Sequence, residues 1–234
     1  MIPAFINWSS GKDACFALWT LRQQGIYDIR YLFTTLNAGF QRVSMHGVRE
    51  ALLDEQARQL GIPLKKAYLQ EHASMEDYNQ LMQQQLEGML QEEIRHAVFG
   101  DIFLEDLRQY RETQLSKIGM QGVFPIWKQN SRQLLQEIIA AGFKAIVVCA
   151  NARYLDASFA GRIIDDQFLA DLPPNVDPCG ENGEFHTFVY DGPLFKAPVA
   201  FTPGETIARS YISDEEKAVN WDNQFYFKEL LPLV

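Results

Sequence analysis

Apolar runs alternate with amphipathic segments along the first half of the chain. Residues 3–8 form a short apolar run that predicts a buried first strand, and residues 12–24 predict a helix that ends at Gly25. In residues 47–60, apolar side chains recur at three- and four-residue steps, which is typical of a helix with one buried face. The same patterns predict further strands over residues 28–35, 64–69 and 97–100, and further helices over residues 75–94 and 104–118. This alternation favours a parallel sheet with helices on both faces.

The pattern changes in the second half, after Pro173 and Pro174. Before these prolines, residues 132–141 predict a helix and residues 145–149 predict an apolar strand. After them, glycine and proline turns separate four predicted strands, over residues 184–190, 194–201, 205–212 and 223–231.

The two patterns predict two domains. The best candidate for the junction is residues 119–122, which begin and end with glycine. We therefore predict an α/β nucleotide domain over residues 1–121 and a smaller α+β domain over residues 122–234. A chain of 234 residues is long enough for two modest domains.

Composition and charge exclude several classes of protein. With 21 basic and 30 acidic residues the net charge is −9, and an acidic chain lacks the broad basic face that non-specific nucleic-acid binding needs. No run of 18 apolar residues occurs and the N-terminus has no basic region, so we expect neither a membrane span nor a signal peptide. Three cysteines without CxxC spacing argue against zinc sites, iron–sulfur sites and disulfides, and favour a reducing cytoplasm.

Residues 9–13, Ser-Ser-Gly-Lys-Asp, lie between the first predicted strand and the first predicted helix. Unpaired N–H groups and the helix dipole make such a helix start an anion site, and Gly11 lets a phosphate approach the backbone. Lys12, expected to be an exposed loop lysine, can supply charge to the β and γ phosphates. Asp13 can orient the loop or hold magnesium. The alternative is an ordinary serine-capped helix; a Walker A loop is excluded, because GxxxxGK[ST] is absent. Ser9 and Ser10 supply the hydroxyl donors of this predicted phosphate loop.

Residues 177–187 concentrate acidic, amide, imidazole and thiol groups. Residues 180–183 predict a tight turn before a strand, and a purely structural turn is one interpretation. The spacing does not fit an EF-hand calcium loop. The surplus acid and amide groups also suit a cationic or amide-bearing substrate, or ammonia. Cys179 is a weaker candidate, as a nucleophile. The predicted substrate-binding residues are Glu181, Asn182, Gly183, Glu184 and His186.

Further candidates follow the strand predicted at residues 97–100. Gly100 and Asp101 stand at the carboxyl edge where α/β sheets bind ligands, so we expect Asp101 to bind magnesium or ribose; a helix N-cap is the alternative. Arg111 and Glu112 lie on the next predicted helix. Consecutive helical residues point in different directions, so the two do not simply pair with each other, and surface charge is the alternative for both.

The loop at residues 9–13 resembles the Ser-Gly-Gly-Lys-Asp-Ser signature of the PP-loop ATP pyrophosphatases. It departs from that signature at Ser10, where glycine is usual, and at Ala14, where serine is usual. Ser10 has a small side chain, so we expect the loop to keep its shape. Ala14 lacks a hydroxyl group that could contact phosphate.

Motifs over about residues 2–200 resemble the diphthine–ammonia ligase family, in the family's order. The resemblance implies a Rossmann-like nucleotide domain of HUP type followed by a second α/β domain. It also implies that ATP adenylates a carboxylate, pyrophosphate leaves, and ammonia displaces AMP to form an amide. The matching motifs are the phosphate loop and residues 45–49, 100–102, 111–112, 125–127 and, most specific, 180–187.

The resemblance implies that these candidate residues bind ATP, Mg²⁺, ammonia and a carboxylate acceptor. ATP is expected at residues 9–13 with Gly100 and Asp101, and Mg²⁺ at Asp101. Lys12, Asp13 and Arg111 are the expected catalytic residues. The expected substrate-binding residues are Glu112, His186 and the turn at residues 180–184. The loop and residues 44–49 look more like the bacterial branch of the family, for which the resemblance names no acceptor, and a homodimer is compatible with it.

Two other functions stay open at this point. Because Ala14 lacks the usual hydroxyl group, one alternative is a regulatory protein that binds ATP or AMP without turnover. A tRNA-modifying PP-loop enzyme is the other alternative, although the acidic charge and the absence of CxxC count against it.

Overall fold

The computed structural model describes residues 1–43, 46–70, 73–210 and 224–233. Strands of the first sheet in these ranges are β1 (Ile2–Asn7), β2 (Tyr27–Asn37), β3 (Arg42–Val43), β4 (Leu64–Leu69), β5 (His96–Val98) and β6 (Gln121–Val123). β1 lies at the centre, with β2 and β5 on either side, β4 outside β2 and β6 outside β5, all in parallel. The short β3 runs antiparallel to the end of β2. The sheet is therefore the predicted parallel kind, with one short antiparallel addition.

Helices cover both faces of this sheet. Alternate residues of β1 point to opposite faces, so Ala4 and Ile6 pack in one buried cluster and Phe5 in another. The helices are α1 (Lys12–Gln24) and α2 (Glu50–Leu60), whose side chains join the first cluster, and α3 (Met75–Gln91) and α4 (Glu105–Ser116), whose side chains join the second. α1 ends as predicted, because Gly25 takes a left-handed conformation with φ 66°.

A second sheet follows, and its pairings in the described residues are antiparallel. Its strands are β7 (Lys144–Asn151), β8 (Phe185–Asp191), β9 (Phe201–Ser210) and β10 (Gln224–Pro232), and they lie in the order β8, β7, β10, β9. Two α-helices accompany them in the described part of this half, α5 (Ser131–Ala140) and α6 (Asp166–Asp171).

α1 joins the two sheets. The ring of Phe16 in α1 meets Phe143, which directly precedes β7, with 6.1 Å between centroids, and Trp19 meets the same ring at 6.3 Å. One continuous cluster of buried apolar side chains includes residues of β1, α1, β7 and β8. The helix that begins at the phosphate loop is therefore held by both halves of the molecule.

The predicted fold class is confirmed: a Rossmann-like sheet of mainly parallel strands is followed by a smaller α+β part. The strand predicted over residues 194–201 is wrong, because only its last residue lies in a strand. Leu194 and Val199 are buried in a loop that packs on the core, and the N–H of Lys196 donates to the Gln59 carbonyl of α2. Apolar spacing here reflects a loop covering the core.

Other boundaries shift by a few residues. The helix predicted from residue 47 begins at Glu50, because Gly47 takes φ 68° and Arg49 is the N-cap. Residues 211, 212 and 223 of the predicted strands lie outside the described ranges, as do Ser44 and Met45 of the block at 44–49. The predicted domain boundary at 121 stays a prediction.

None of the helices in the described part of the chain has both the length and the hydropathy that a membrane-spanning helix requires.

Candidate functional site

A cleft of about 470 Å³ opens at the carboxyl edge of the first sheet. β1 and β5 are neighbours in the sheet, but the strand that follows β1 lies on one side of them and the strand that follows β5 lies on the other. Such a reversal creates a crevice between the two neighbouring strands. The structure brings together seven of the residues predicted from sequence on the walls of this cleft: Ser9, Asp13, Gly100, Asp101, Arg111, Glu181 and His186.

The phosphate loop is fixed from beneath by other elements. Ser10 has φ 73°, in the left-handed region, and is fully buried. Its carbonyl accepts hydrogen bonds from the N–H of Val189 at 3.0 Å and from Nε2 of Gln56 at 3.2 Å. Gln56 is itself buried and accepts from the indole N–H of Trp8 at 2.6 Å. The shape of the loop therefore depends on α2 and β8, and sequence reasoning missed both Gln56 and Trp8.

Lys12 is buried, with 2% of its surface exposed, so the prediction of an exposed loop lysine is wrong. Its Nζ donates to Oδ2 of Asp13 at 2.9 Å and to the Cys179 carbonyl, and lies 5.1 Å from the centre of the Phe185 ring. Its backbone N–H donates to Oγ1 of Thr187 at 3.0 Å. Burial is the largest single effect and opposes the charged form, but the nearby acidic groups, Asp13 foremost, together raise the pKa of Lys12. Lys12 is therefore a buried ammonium group that connects α1 to the 177–187 turn.

Two carboxylates face the cleft above the loop. Oδ1 of Asp13 is buried and has no hydrogen-bond partner among the described residues. Oδ2 of Asp101 lies 2.7 Å from Nε of Arg111, whose guanidinium stacks 4.3 Å from the centre of the Phe99 ring. Burial raises the pKa of Asp101, and the nearby Asp13 carboxylate adds to this rise. The Arg111 charge lowers the pKa, but by less. The two carboxylates are therefore close enough to interact.

This donor set fits Mg²⁺ bound together with nucleotide phosphates. Mg²⁺ in such sites takes one or two carboxylates, phosphate oxygens and water, so an unpaired Asp13 oxygen beside Asp101 suits it. Within the described residues, no group of three or more His, Cys, Asp or Glu side chains forms a metal site made by protein alone.

Glu184 holds the 177–187 turn together. Its carboxylate accepts hydrogen bonds from the N–H of Asp177 at 3.0 Å and from both the N–H and the Nδ2 of Asn182, at 2.9 and 3.0 Å. Its side chain is 1% exposed. Glu184, Asn182 and Gly183 therefore build the turn and do not reach the cleft wall, which supports the structural interpretation for these three positions.

Glu181 is the carboxylate of this turn that reaches the cleft. Its Oε1 accepts hydrogen bonds from the N–H of Ile102 at 2.7 Å and of Phe103 at 3.4 Å. The turn is thereby fixed to the loop after β5, beside Asp101. Burial raises the pKa of Glu181 to about 7, although the Ile102 N–H opposes this rise. Glu181 therefore changes charge near neutral pH.

Two imidazole rings lie against each other at the same wall, with an angle of 32° between their planes. His46 and His186 lie 4.5 Å apart between ring centres, and Nδ1 of His46 is 3.3 Å from the Thr187 carbonyl. Burial lowers the pKa of both, and that of His186 falls to about 4. The pair is therefore neutral at pH 7. His46 stood in a matching motif in the sequence, but only the fold shows that it meets His186.

Two other candidates lie away from the cleft. Glu112 pairs with Arg108 along α4 at 2.9 Å and is not on the cleft wall. The Cys179 thiol is buried and donates to the Ser131 carbonyl at 3.3 Å, and burial raises its pKa. A thiol held in this way does not ionise near neutral pH, which argues against Cys179 as a nucleophile.

Comparison with known families finds matches in both halves of the chain. The family model described as the diphthamide synthase N-terminal domain matches residues 3–122, and the model of the diphthamide synthase C-terminal domain matches residues 130–224. The chain belongs to the diphthamide synthase family. Both the phosphate loop and the 177–187 turn lie within the matched segments.

Curated relatives of this diphthamide synthase family member are named diphthine–ammonia ligase. The mouse protein is 32% identical and the cattle protein 31% identical over 124 residues, which cover 51% of this chain and 46% of each relative. The zebrafish protein is 24% identical over 228 residues, which cover 86% of this chain and 87% of that protein. The chain thus spans about half the length of the mammalian relatives that it matches.

Proposed function

We propose that this member of the diphthamide synthase family is an ATP-dependent ligase that forms an amide from a carboxylate and ammonia. The observation that carries the proposal is the single cleft in which the phosphate loop meets Asp101, Arg111 and Glu181. An anion site, two carboxylates for a metal ion, a guanidinium and a carboxylate that titrates near pH 7 are the groups that such a reaction needs. The names of the curated relatives support the same reaction.

ATP binds with its phosphates at the loop, where Asp13 and Asp101 would hold Mg²⁺. When bound, the ion would supply positive charge to the phosphate oxygens. The start of α1, with Gly11 as its N-cap, adds backbone N–H groups and the positive end of the helix dipole. Lys12 acts through Asp13, because its ammonium group holds that carboxylate in place from beneath the cleft.

Arg111 orients the acceptor for the first step. A carboxylate oxygen of the acceptor attacks the α-phosphorus, the bond from that phosphorus to the bridging oxygen breaks, and pyrophosphate leaves. The product is an acyl adenylate. The guanidinium, fixed by Asp101 and Phe99, faces the cleft and offsets the negative charge of the incoming carboxylate.

Glu181 serves the second step. Ammonia attacks the acyl carbon, the bond to the phosphate oxygen breaks, AMP leaves, and the nitrogen gives up a proton. Glu181 in its ionised form accepts that proton, since its pKa lies at about 7. The neighbouring His46 and His186 are neutral at pH 7 and add no positive charge to this wall of the cleft.

Exchange of labelled pyrophosphate into ATP tests the first step in isolation. We expect exchange that depends on Mg²⁺ and on an added carboxylic acid, and a loss of at least tenfold in Asp101→Asn. Glu112→Gln is the matched control, because Glu112 lies on the next helix but outside the cleft. Equal exchange in wild type and Asp101→Asn would contradict the assignment of the cleft.

A second variant separates the two steps. Glu181→Gln keeps the shape of the side chain and removes its charge, so we expect pyrophosphate exchange to persist while amide formation falls at least tenfold. An unchanged rate of amide formation would remove Glu181 from the mechanism. If Mg²⁺–ATP binds but no acid supports exchange, the non-catalytic nucleotide-binding alternative replaces the ligase.

A further inference from the structure

A second cavity, of about 350 Å³, opens between α3 and α4 beside the nucleotide cleft. Phe5, Leu86, Phe99 and Leu115 line it, and all four belong to the buried core on this face of the sheet. The cavity therefore reaches from the surface down to β1. Its volume lies in the range of small-molecule sites, roughly 300–1,000 Å³.

The two cavities adjoin and share part of their walls. Asn7, Tyr78, Met82, Phe99 and Arg111 line both of them. Arg111 is the charged member of this shared wall, with Nε 2.7 Å from Oδ2 of Asp101. A molecule in the apolar cavity can therefore present one end to Arg111 and to the cleft.

The charge of the lining selects the kind of molecule. Arg111 and Lys117 are cationic, and the described residues that line the cavity include no carboxylate. Some polar side chains at the rim already form hydrogen bonds with each other: the Tyr110 hydroxyl donates to Asn79 at 2.9 Å. An arginine has five N–H donors, and the Asp101 contact uses Nε and Nη2 of Arg111, so another edge can bind a second carboxylate.

We propose that this cavity holds the body of the acceptor, and that the acceptor is a small monocarboxylic acid with an aromatic or branched apolar body. Its carboxylate contacts Arg111 and its apolar part lies against Phe99, Leu86 and Leu115. The inference rests on the proposed ligase function for the fate of the carboxylate, but the binding site itself is a separate claim. Apolar side chains beside the Arg111 guanidinium suit such an acid, whereas a second carboxylate against these side chains would lose its hydration.

Binding of phenylacetate and isovalerate to the full chain without ATP tests the site directly. Saturation-transfer NMR and calorimetry are compared with phenylacetamide, which lacks the charge, and with succinate, which lacks the apolar body. We expect phenylacetate to bind at least tenfold more tightly than either comparison compound.

Two variants that fill the cavity locate the bound acid. Gln83 on α3 lines the cavity and its neighbour Gln84 does not, and both are exposed, so Gln83→Trp and Gln84→Trp form a matched pair. Leu86→Phe fills the cavity from deeper in the same helix. We expect at least a tenfold loss of phenylacetate affinity in Gln83→Trp and Leu86→Phe and none in Gln84→Trp, with Mg²⁺–ATP affinity unchanged in all three.

Three results would overturn the inference: no measurable binding of either acid, equal binding of phenylacetate and phenylacetamide, or wild-type affinity in both cavity-filling variants. Failure of the ligase function has a different signature. Acids would then bind in the cavity, and Mg²⁺–ATP would bind in the cleft, but the bound acid would not support pyrophosphate exchange.

Discussion

At the residue scale, Ser10 has a backbone conformation that favours glycine. Its φ is 73°, and its buried hydroxyl has no hydrogen-bond partner among the described residues. A side chain in the left-handed region costs roughly 1–2 kcal/mol. The related PP-loop signature usually has glycine here, and the backbone geometry gives the physical reason. The loop nevertheless keeps its shape, because Gln56 and Val189 hold the Ser10 carbonyl.

We therefore expect Ser10→Gly to raise the free energy of unfolding by about 1 kcal/mol, since relief of strain exceeds the entropy cost of glycine. Urea denaturation measures the change. Ser10→Ala separates the causes, because it removes the hydroxyl but keeps the Cβ atom. A less stable Ser10→Gly protein would show that the left-handed backbone is not strained.

The buried ion pair of Lys12 leads to a second prediction at this scale. Lys12→Met leaves the Asp13 carboxylate without its partner, and we expect a loss of about 3–5 kcal/mol in the free energy of unfolding. Lys128→Met is the matched control, because Lys128 pairs with Glu105 in an exposed ion pair that is worth less than about 1 kcal/mol. Equal losses in the two variants would contradict the buried position of Lys12.

At the scale of elements, the loop after β5 touches the first turn of α1. A Cβ atom on Gly100 would lie 2.7 Å from the N of Ala14 and 2.8 Å from the carbonyl carbon of Asp13. Both are backbone atoms, so neither can move aside without shifting the helix. The absence of a side chain at Gly100 therefore sets the distance between the two elements that carry Asp13 and Asp101.

We expect Gly100→Ala to lower the free energy of unfolding by about 1–3 kcal/mol and to weaken Mg²⁺–ATP binding. Gly88→Ala is the control, because Gly88 lies within α3 and a Cβ there meets no atom within 4 Å. That helical replacement should raise stability by about 0.5–1 kcal/mol. Calorimetry and urea denaturation check both, and an unaffected Gly100→Ala protein would contradict the close contact.

The sequence predicted most of these elements, because their signals are local. Apolar spacing and Gly25 placed α1 correctly, and the apolar run before Ser-Ser-Gly-Lys-Asp placed residues 9–13 between β1 and α1. The burial of Lys12 was not predictable, because it depends on the Cys179 carbonyl 167 residues away in sequence. The roles of Glu181 and Glu184 could not be separated from sequence either. Only the fold shows that the Glu181 carboxylate reaches the cleft and that the Glu184 carboxylate bonds within the turn.

At the scale of the whole molecule, the cleft belongs to both halves. The first sheet supplies the phosphate loop and Asp101, and the second half supplies Glu181 and His186. The link between them consists of buried polar contacts: Lys12 with Cys179, Val189 with Ser10, and Glu181 with Ile102. The nucleotide and the groups assigned to ammonia therefore depend on one arrangement of the two sheets.

This arrangement should make stability depend on pH. Burial, with the Lys12 charge, lowers the pKa of His186 to about 4, below the ordinary value of 6.5. The unfolded chain then binds more protons between these values, so the contribution of His186 is present above pH 6.5 and is lost as the pH falls from 6.5 to 4. A shift of this size corresponds to about 3 kcal/mol.

Comparison of wild type with His186→Gln measures this contribution together with the part of the lowered His46 pKa that His186 causes. The raised pKa of Glu181 acts in the opposite sense, because its contribution is lost as the pH rises from 4.5 towards 7, but it is common to both proteins. We expect the difference in the free energy of unfolding between them to shrink from pH 7.5 to pH 4. A difference that is constant with pH would show that His186 titrates normally.

In the proposed reaction the cleft couples cleavage of ATP between its α and β phosphates to the formation of an amide from ammonia. The most direct measurement supplies the protein with ATP, Mg²⁺, ¹⁵N-ammonium and a deproteinised cell extract as the source of acceptor. ³¹P NMR then identifies the nucleotide products and ¹⁵N NMR identifies any new amide. We expect AMP, pyrophosphate and a ¹⁵N-amide to form in equal amounts with the wild-type protein, and none of the three to form with Asp101→Asn. Formation of ADP and phosphate would contradict the proposed reaction. Formation of AMP at the same rate when ammonium is left out of the mixture would also contradict it.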